Sequence, residues 1–515
     1  MSDFDDIIAG LRHPDAYPHR VDRVEHIETH ISHILLAGDY AYKLKKPLDL
    51  GFLDFSTLER RRFCCEEENR LNRRLAPDIY LGVVTVTGTP RAPRIGGAGE
   101  ALEHAVRMRR FDQEGLLTRM PVTPELADRI AERVAAFHDS IPSAAVDSPF
   151  GRPELVQRPM EENFAHIRER LSDPAGLRRL EPLADWTRAR LRELTPLIES
   201  RRRGGQIREC HGDMHRGNIA LVQGELIIFD GIEFNPALRW IDTMSELAFL
   251  VMDLEEAGEA PQARRLLNRY LELRGDYAGL ALLDFYKVYR AMVRAKVTRV
   301  RLGQSDLGPD EAARDRADYE GYIALAEGYT RPRPRRLYLT HGVSGSGKSR
   351  LALRLRDRLP VIHIRSDLER KRLFGLPPDA RTRSAKDAGI YSREAGDRTY
   401  ARLRELAAGI LDAGYSPLVD ATFLERARRR SFIELAEEKA CPCTILVPEA
   451  PEPVLRRRVQ ARELEGGEPS EADLAILEAQ LAAREPLTAA EQELALRIDT
   501  LNPPELEDLL ARWPR

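Results

Sequence analysis

The chain has 515 residues, of which 43% are hydrophobic and 32% are charged. One hydrophobic core stops growing beyond roughly 250 to 300 residues, so this length predicts two or three domains. The 80 basic and 83 acidic residues nearly cancel, which predicts no general attraction to nucleic acid or to an anionic membrane. No stretch approaches the roughly 18 apolar residues of a membrane span, and the acidic start MSDFDDIIAG does not look like a signal peptide.

The cysteines favour a reduced compartment. Their number is odd and they lack the paired CxxC spacing of a zinc site, so we expect a cytoplasmic protein without zinc. Cys441 and Cys443 could be argued as a metal or redox pair, but the sequence has no second pair nearby. The five cysteines are Cys64, Cys65, Cys210, Cys441 and Cys443.

Apolar patterns in the first two thirds of the chain predict a small mixed lobe and a larger helical lobe. Short strands around a helix at 58–75 predict the small lobe over about 20–105. Apolar residues at three and four spacing predict the helical lobe over about 106–328, interrupted by a hairpin at 218–231 that turns at Gln223-Gly224. The short strands of the small lobe are predicted at 33–38, 40–45 and 80–87.

Prolines and arginines interrupt these patterns at 329–336, which predicts the main domain boundary there. The basic run is interpreted as a solvated linker, with a nucleic-acid contact as the alternative. Beyond it, strands alternate with helices, beginning with RLYLTHG and a helix at 348–358. This alternation predicts a parallel sheet with helices on both faces.

The connection between that first strand and helix has the G-x-x-x-x-G-K-[ST] spacing of a phosphate-binding P-loop. Its glycines let backbone N–H groups turn toward phosphate oxygens, and the helix start adds the positive end of its dipole. Lys348 is predicted to reach the β and γ phosphates, and Ser349 to hold Mg²⁺. A turn that merely joined strand to helix would need neither side chain. The predicted nucleotide-binding residues are Gly342, Ser344, Gly345, Ser346, Gly347, Lys348 and Ser349.

Further charged side chains are predicted around the P-loop. Asp367 ends the strand pattern VIHIRSD and could accept the proton of an attacking hydroxyl, while Asp420 in SPLVDATF is a candidate for the Mg²⁺ water shell. Arg458 and Arg462 share one helical face before a Gly-rich turn, which predicts a lid whose arginines neutralise the transferring phosphoryl group. The alternative is a solvated basic face.

Residues 337 to about 490 resemble the small P-loop kinases that include gluconate kinase, zeta toxins and phage polynucleotide kinase. Asp367-Leu368-Glu369-Arg370 is similar to the D-x-x-R of the polynucleotide kinases. That resemblance implies Asp367 as the base for the acceptor hydroxyl and Arg370 as a contact of an acceptor phosphate. The rest of that acceptor site has no recognisable counterpart, so the acceptor stays open.

A second constellation lies in the helical lobe. HGDMHRGN at 211–218 has the spacing H-x-D-x-x-x-x-N, and the FDG that follows it places Asp230 directly before a glycine. In kinase chemistry a loop Asp accepts the hydroxyl proton, an Asn holds a metal and a second Asp bridges the metal to phosphates. These roles are predicted for Asp213, Asn218 and Asp230. His211 and His215 are expected to order the loop through hydrogen bonds.

A kinase also needs a strand lysine for the ATP phosphates and a helix glutamate to orient it. Lys43 and Glu68 fill these positions in the small lobe. Lys45 is an alternative because it points to the same strand face as Lys43. Glu66 and Glu67 are alternatives to Glu68.

Residues 20 to about 325 resemble the aminoglycoside phosphotransferase family of kinase-like enzymes, most specifically in HGDMHRGN. The segment KLKKPLDLGFLDFST and the attached P-loop half look like bacterial proteins described as bifunctional aminoglycoside phosphotransferase and ATP-binding proteins. The resemblance implies Asp213 as catalytic base, Asn218 and Asp230 as Mg²⁺ ligands, and Lys43 with Glu68 on ATP. The sequence departs from the pattern in one respect, because no G-x-G-x-x-G loop precedes Lys43.

The predicted architecture is an α+β, two-lobed, protein-kinase-like domain at 1–328 joined to an α/β P-loop NTPase domain with a mainly parallel sheet and a lid at 337–515. The predicted function is a bifunctional ATP-dependent phosphotransferase. Each domain would use ATP or another NTP with Mg²⁺ and a hydroxyl acceptor, either a small molecule or a nucleotide or nucleic acid. One alternative is a regulatory ATP-binding protein with one inactive half. Another is a nucleic-acid 5′-hydroxyl kinase or end-processing factor.

Overall fold

The computed structural model of the protein describes residues 3–51, 53–171, 174–303, 307–377, 380, 390, 392–465 and 473–503, with the backbone alone for 462–465. The chain folds into two compact units. Unit 1 holds residues 1–123, 136–254 and 289–320, and unit 2 holds 124–135, 255–288 and 321–515. Residues 255–288 therefore belong to the unit that contains the P-loop, and the domain boundary at 329–336 stays a prediction.

The described strands and helices are bounded as follows. The strands are β1 (Val24–Glu28), β2 (Ser32–Ala37), β3 (Tyr40–Lys45), β4 (Tyr80–Thr89), β5 (Ala92–Ile95), β6 (Glu103–Arg109), β7 (Ile207–Glu209), β8 (Ile219–Val222), β9 (Glu225–Ile228), β10 (Trp240–Asp242), β11 (Leu337–Thr340), β12 (Val361–Arg365), β13 (Ser416–Asp420), β14 (Cys443–Glu449) and β15 (Ala495–Asp499). The helices are α1 (Asp3–Leu11), α2 (Leu58–Asn72), α3 (Pro124–Ser140), α4 (Pro153–Glu169), α5 (Pro174–Arg203), α6 (Pro236–Arg239), α7 (Thr243–Glu256), α8 (Ala260–Arg274), α9 (Leu280–Arg301), α10 (Pro309–Thr330), α11 (Lys348–Arg358), α12 (Ser366–Leu373), α13 (Arg393–Asp412), α14 (Arg426–Glu438), α15 (Glu452–Glu465), α16 (Leu474–Ala483) and α17 (Ala489–Glu493).

Unit 1 begins with an antiparallel sheet in the strand order β1-β2-β3-β6-β4-β5. Successive side chains of a strand point to opposite faces, which in β3 separates Tyr42 and Leu44 from Lys43 and Lys45. Tyr42 and Leu44 are buried in an apolar core that includes Leu11 of α1. This apolar contact fixes the register of β3 and leaves both lysines on the other face.

Unit 2 contains a parallel sheet in the order β12-β13-β11-β14-β15. Strand β11 pairs with β13 on one side and with β14 on the other. Leu351 and Leu355 of α11 pack on the sheet in a core with Tyr338 and Leu446. Ligands of open parallel sheets bind beyond the carboxyl ends of the strands where the strand order reverses, which here is the end of β11.

Both predicted fold types are confirmed by the two kinds of sheet and by the helices around them. The predicted hairpin is β8 and β9, with φ of 53° at Gln223 and 86° at Gly224, as a two-residue type I′ turn requires. The helix predicted at 348–358 has the bounds of α11, whereas the helix predicted at 58–75 ends earlier, at Asn72. None of the described helices is long and apolar enough to cross a membrane.

The arginines of the predicted linker contact protein as well as water. The Arg333 guanidinium lies 4.4 Å from the centre of the Tyr415 ring and pairs with Asp284. Arg335 donates to the Leu411 carbonyl at 3.0 Å. All of these residues belong to unit 2. The expectation of a solvated linker is therefore wrong for Arg333 and Arg335, because their side chains anchor this segment within unit 2.

Candidate active sites

The first candidate site centres on a buried ion pair between Lys43 of β3 and Glu68 of α2. Lys43 Nζ lies 3.0 Å from Glu68 Oε1 and also pairs with Asp230. Only 7% of Lys43 is exposed, and Glu68 is fully buried. Burial acts to lower the pKa of Lys43, but Asp230 and Glu68 outweigh it and raise the pKa well above its usual value. Lys43 is therefore a permanent cation beside Asp230.

Lys45 occupies a different environment from Lys43. Its ammonium pairs with the second oxygen of Glu68 and with Glu233, and its side chain is fully buried. Lys43 and Asp230 line an open cavity, whereas Lys45 is not among the lining residues. Of the two lysines that the sequence left open, Lys43 is thus the one within reach of a ligand.

The two alternatives to Glu68 point elsewhere. Glu66 pairs with Arg62 at 2.8 Å, with at least half of each side chain exposed. Glu67 pairs with Arg70, also at 2.8 Å. The structure therefore brings Glu68 alone of the three glutamates to the lysines of β3, among the described contacts.

Asp230 lies in a strained turn directly after β9. Its φ of 63° puts a non-glycine residue in the left-handed region, which costs energy unless the surroundings hold it. The Asp230 N–H donates to the Tyr80 hydroxyl at 3.1 Å, and the Gly231 N–H donates to Asn72 Oδ1 at 2.7 Å. Burial acts to raise the pKa of Asp230, but Lys43 lowers it overall. The carboxylate is therefore ionised at neutral pH and held toward the cavity.

Asp213 receives two polar contacts from its own loop. Asn218 Nδ2 donates to Asp213 Oδ2 at 3.2 Å, and His215 Nε2 lies 3.4 Å from the same oxygen. His215 Nδ1 accepts from the Gly217 N–H at 3.1 Å, so the proton of the neutral ring is on Nε2, facing Asp213. Burial acts to raise the pKa of Asp213, but His215 and neighbouring cations lower it overall. With 36% of its side chain exposed, the ionised carboxylate is accessible from solvent.

Side chains of helices α7 and α9 hold the Asp213 loop through hydrogen bonds. Glu246 Oε1 accepts from the Gly212 N–H at 2.7 Å, and Arg290 donates to the Gly212 carbonyl at 3.0 Å. Asp253 accepts from the Arg216 N–H at 2.9 Å. Since Glu246 and Asp253 both belong to α7, this helix fixes the loop at two positions.

His211 makes hydrogen bonds of the loop-ordering kind that the sequence predicts. Its Nε2 donates to the Phe229 carbonyl at 2.9 Å, and its Nδ1 accepts from the Asp213 N–H at 3.3 Å. Burial lowers the pKa of His211, so the ring is neutral at pH 7. His211 thus connects the Asp213 loop to the strand that precedes Asp230.

The cavity next to Lys43 and Asp230 has a volume of about 650 Å³. It has the size and the mixed lining of a small-molecule site. The β1–β2 turn precedes Lys43 in place of a G-x-G-x-x-G loop. Thr29 stabilises this turn by donating its N–H and hydroxyl to the Ser32 carbonyl at 2.9 and 3.0 Å. Apolar lining residues include Ile34, Leu36, Ala41, Met108 and Phe229.

The second candidate site is the P-loop after β11. Gly345 and Gly347 have φ of 79° and 96°, conformations that favour glycine. A Cβ on Gly345 would lie 2.7 Å from the Leu455 carbonyl, so the backbone approach also requires glycine. The Ser344 N–H donates to Gln480 Oε1 of α16 at 2.7 Å. Helix α11 begins at Lys348, which puts its positive end at the loop.

Arg458 of α15 lies against the P-loop backbone. Its guanidinium donates to the Gly345 carbonyl at 3.3 Å and to Thr500 Oγ1 and O at 2.9 and 2.7 Å. A solvated basic face is therefore the wrong description of Arg458. The side chain of Arg462 and the Gly-rich turn at 466–472 lie outside the described residues, and the lid stays a prediction.

Asp420 ends β13 beside the strand of the P-loop. His363 Nε2 lies 3.6 Å from Asp420 Oδ2, and Thr340 Oγ1 lies 3.5 Å from Oδ1. Burial acts to raise the pKa of Asp420, but His363 and Lys348 lower it to about 2. Asp420 therefore offers an ionised carboxylate in the electrostatic environment of Lys348.

Asp367 and Arg370 lie on α12, directly after β12. Strand β12 is separated from β11 by β13, a distance of about 10 Å at the usual strand spacing. A cavity of about 670 Å³ adjoins the P-loop at Lys348, Ser349 and Arg458. Asp420 is not among the described residues that line it. Asp367 and Arg370 lie on a different helix from the P-loop residues and are likewise not among the described residues that line this cavity.

Several residues that contact the predicted site residues were not themselves predicted from the sequence. Glu233 follows Asp230-Gly231 by two positions, and Asn72 lies one helical turn after Glu68, so local spacing could have indicated both. Tyr80 accepts a hydrogen bond from Asp230, and Glu246 accepts one from Gly212, although both residues lie far from these partners in the sequence. The residues around Tyr80 and Glu246 form no motif that would predict these contacts.

Two family models match the chain over the segments that carry these sites. A model described as "Phosphotransferase enzyme family" matches residues 65–283, and a model described as "AAA domain" matches residues 337–487. An uncharacterized protein of Mycobacterium tuberculosis and one of Mycobacterium bovis are each 33% identical over 486 residues, or 93% of this chain and 92% of the relative. The chain belongs to their family. It joins an aminoglycoside-phosphotransferase-like half to a P-loop half and is an ATP-dependent kinase, which confirms the predicted family resemblance and the predicted class of enzyme.

Solved structures of kinases are similar to parts of this chain, with low sequence identities and low TM-scores. Amicoumacin kinase hAmiN, in complex with AMP-PNP, Ca²⁺ and Ami, is 15% identical with a TM-score of 0.40, covering 62% of this chain and 94% of that one. A gluconokinase from Sinorhizobium meliloti 1021 is 20% identical with a TM-score of 0.24, covering 35% and 90%. Scores this low do not assign a fold by themselves.

Proposed function

We propose that the chain is bifunctional, with one phosphoryl transfer at Asp213 and a second at the P-loop with Lys348. The observation that carries the proposal is the buried network in which Lys43 binds both Glu68 and Asp230. A lysine held by a helix glutamate beside a second aspartate, here Asp230, is the arrangement that kinase chemistry needs. This assembled network argues against an inactive kinase-like half.

In the first reaction, Asp213 accepts the proton of the acceptor hydroxyl while Lys43 holds the α and β phosphates of ATP. The lowered pKa of Asp213 makes it a weak base. Phosphoryl transfer requires little basicity, because its transition state is loose and catalysis rests mainly on positioning and charge stabilisation. Asn218 and His215 direct N–H groups at Asp213 and orient its carboxylate.

The donor atoms at this site fit Mg²⁺. The Asn218 N–H group is taken by Asp213, so the amide oxygen is the atom left to bind a cation. Asp230 has 46% of its side chain exposed and is ionised. Carboxylate and amide oxygens are ligands that Mg²⁺ accepts. When bound, Mg²⁺ supplies positive charge that offsets the charge of the transferring phosphoryl group.

In the second reaction, the backbone N–H groups of 345–348 hold phosphates in the manner of a P-loop. The Ser349 hydroxyl and the Asp420 carboxylate are oxygen donors that fit Mg²⁺. Asp367 accepts the acceptor proton, and Arg370 binds the acceptor. Strand β13 lies between β12 and β11, so their carboxyl ends are about 10 Å apart, a span that a small acceptor would bridge between the nucleotide and Asp367.

Small hydroxyl compounds are the acceptor class that we propose for both reactions. The nearly balanced charge of the chain disfavours nucleic acid, whose binding depends on released counterions and a basic surface. A steep salt dependence of oligonucleotide binding, absent for small acceptors, would support the nucleic-acid alternative instead.

The experiment uses the full-length chain with Mg-ATP and a cell metabolite extract, and mass spectrometry detects products that gain one phosphoryl group. Asp213→Ala should remove one set of products and Lys348→Ala a different set. Asp185→Ala changes an exposed aspartate and Lys439→Ala a partly exposed lysine, and both serve as matched controls. If Asp213→Ala leaves every nucleotide-dependent activity unchanged, the bifunctional proposal fails and a regulatory role for unit 1 replaces it.

A further inference from the structure

Helix α8 covers the outer edge of the parallel sheet in unit 2. Strand β12 is the outermost strand on that side of the described sheet, so its backbone groups need partners there. Asn268 of α8 supplies them: its Nδ2 donates to the Val361 carbonyl at 3.0 Å, and its Oδ1 accepts from the His363 N–H at 2.7 Å. Since only 2% of Asn268 is exposed, both bonds are shielded from water. One side-chain amide thus pairs with β12 as a neighbouring strand would.

Glu272, one turn further along α8, holds the two ends of the next segment. Its Oε1 accepts from Arg365 Nη1 at 3.1 Å, and its backbone carbonyl accepts from Arg372 Nη2 at 2.6 Å. Arg365 is the last residue of β12, and Arg372 lies in the last turn of α12. The two arginines bracket the segment that carries Asp367 and Arg370. The Glu272 carboxylate therefore fixes the start of the helix that carries Asp367 and Arg370, and the backbone carbonyl of the same residue fixes its end.

The rest of α8 is attached to the same region. Near its start, Arg265 pairs with Asp357 of α11 at 3.0 Å. At its end, Gly275 has a φ of 68°, and a Cβ there would lie 2.6 Å from Arg372 Nε. Only glycine permits this approach without displacement of the arginine. Contacts along the whole helix thus hold α8 in register with β12 and α12.

We propose that Asn268 and Glu272 are positioning residues of the P-loop reaction, which set where Asp367 and Arg370 lie relative to the bound phosphates. The proposal rests on the proposed function of the P-loop site. Phosphoryl transfer needs in-line placement, and a displacement of about 1 Å can cost about 10²-fold in rate. Helix α12 follows the edge strand β12, which has one strand neighbour in the described sheet. The position of α12 therefore depends on what covers the other side of β12.

The helix that supports β12 and α12 lies outside the part of the chain that the P-loop family model matches. Helix α8 lies within residues 65–283, which the phosphotransferase model matches, and outside residues 337–487, which the AAA model matches. The P-loop reaction therefore depends on a helix that the sequence assigns to the other half.

The test measures, in the full-length chain, the kcat of the reaction that Lys348→Ala removes. We expect Glu272→Ala to lower this kcat on the order of 10- to 100-fold with an unchanged KM for ATP. Glu272→Gln keeps an oxygen for Arg365 and should recover part of the loss. Gln262→Ala, in the first turn of α8, is the matched control and should behave as wild type. The Asp213-dependent reaction of the same preparations should keep its rate.

Hydrogen exchange gives a readout that needs no catalysis. Asn268→Ala should speed exchange of the His363 amide about tenfold relative to Gln262→Ala, because a buried hydrogen bond is lost. The proposal is overturned if both Glu272→Ala and Asn268→Ala keep the wild-type kcat, or if the two reactions of the chain decline together, which marks a purely structural role. A wild-type chain without any Lys348-dependent reaction overturns the proposed function of the P-loop site instead, and this proposal with it.

Discussion

Lys45 and Glu233 form an ion pair in which the two side chains are 0% and 4% exposed. Removal of Glu233 leaves the buried Lys45 ammonium with Glu68 as its remaining partner among the described contacts, and the loss of a hydrogen bond between charged groups costs about 1.5 to 3 kcal/mol. We predict that Glu233→Ala lowers the free energy of unfolding by about that amount. Urea unfolding followed by tryptophan fluorescence measures it, since Trp186 and Trp240 both lie in unit 1. Lys46→Ala breaks a pair with an exposed carboxylate and should cost less than about 1 kcal/mol, so equal losses for the two variants would contradict the prediction.

The Mg²⁺ dependence of the two reactions should be separable. Asn218→Ala removes one proposed oxygen ligand, and we expect the Mg²⁺ concentration for half-maximal rate of the Asp213-dependent reaction to rise about tenfold or more. Ser349→Ala should have that effect on the Lys348-dependent reaction alone. Steady-state rates over a Mg²⁺ titration measure both, and chelation of the metal should stop both reactions. Unchanged titrations for Asn218→Ala would exclude Asn218 as a ligand.

Arg458 can act as a scaffold for the P-loop or as a charge on the transferring group, and two substitutions distinguish these roles. Arg458→Ala loses the hydrogen bonds to Gly345 and Thr500, so we expect the KM for ATP of the Lys348-dependent reaction to rise about tenfold. Arg458→Lys keeps the charge but not the fork of donors. If the lysine variant restores the wild-type KM, charge rather than scaffolding is the role. Arg456→Ala, which breaks exposed pairs on the same helix, is the control.

The sequence predicted the parts of both sites that local spacing encodes. HGDMHRGN and the P-loop each fall within nine residues. Because each motif forms one short loop, the spacing along the sequence decides which side chains lie close together. The choice between Lys43 and Lys45 could not be made in this way, because alternation in β3 puts both on one face. The structure explains the ambiguity: Glu68 has two oxygens and each lysine takes one.

Contacts between distant segments could not be predicted. In the sequence, Asn268 is one of several polar residues in an amphipathic helix. Its hydrogen bonds to β12 could not be predicted, because they form with residues some ninety positions further along the chain. The arginines of 329–336 likewise read as solvated because their partners, Asp284 and Tyr415, lie far away in the sequence. Composition identifies a segment as polar but does not identify its partner.

His341 makes the stability of unit 2 depend on pH. This residue precedes the P-loop, is fully buried, and donates from Nδ1 to the Phe423 carbonyl at 3.0 Å. Burial lowers its pKa to about 4, whereas the unfolded value is about 6.5. Between these values the unfolded chain binds a proton that the folded chain does not. The stability that His341 contributes is therefore present above pH 6.5 and is lost toward pH 4, by about 1.4 kcal/mol per pH unit.

His341→Asn keeps a side-chain donor for Phe423 but cannot titrate in this range. We predict that the variant and the wild type lose different amounts of stability between pH 7 and pH 5, with the wild type losing more. Hydrogen exchange of peptides that cover Leu337–Thr340 measures this at each pH, with the variant as the reference for intrinsic exchange. Relative to the variant, protection of the wild type should fall by roughly 20-fold at pH 5, the ratio that the two pKa values give. Equal protection ratios at the two pH values would show that His341 is protonated in the folded chain as readily as in the unfolded one.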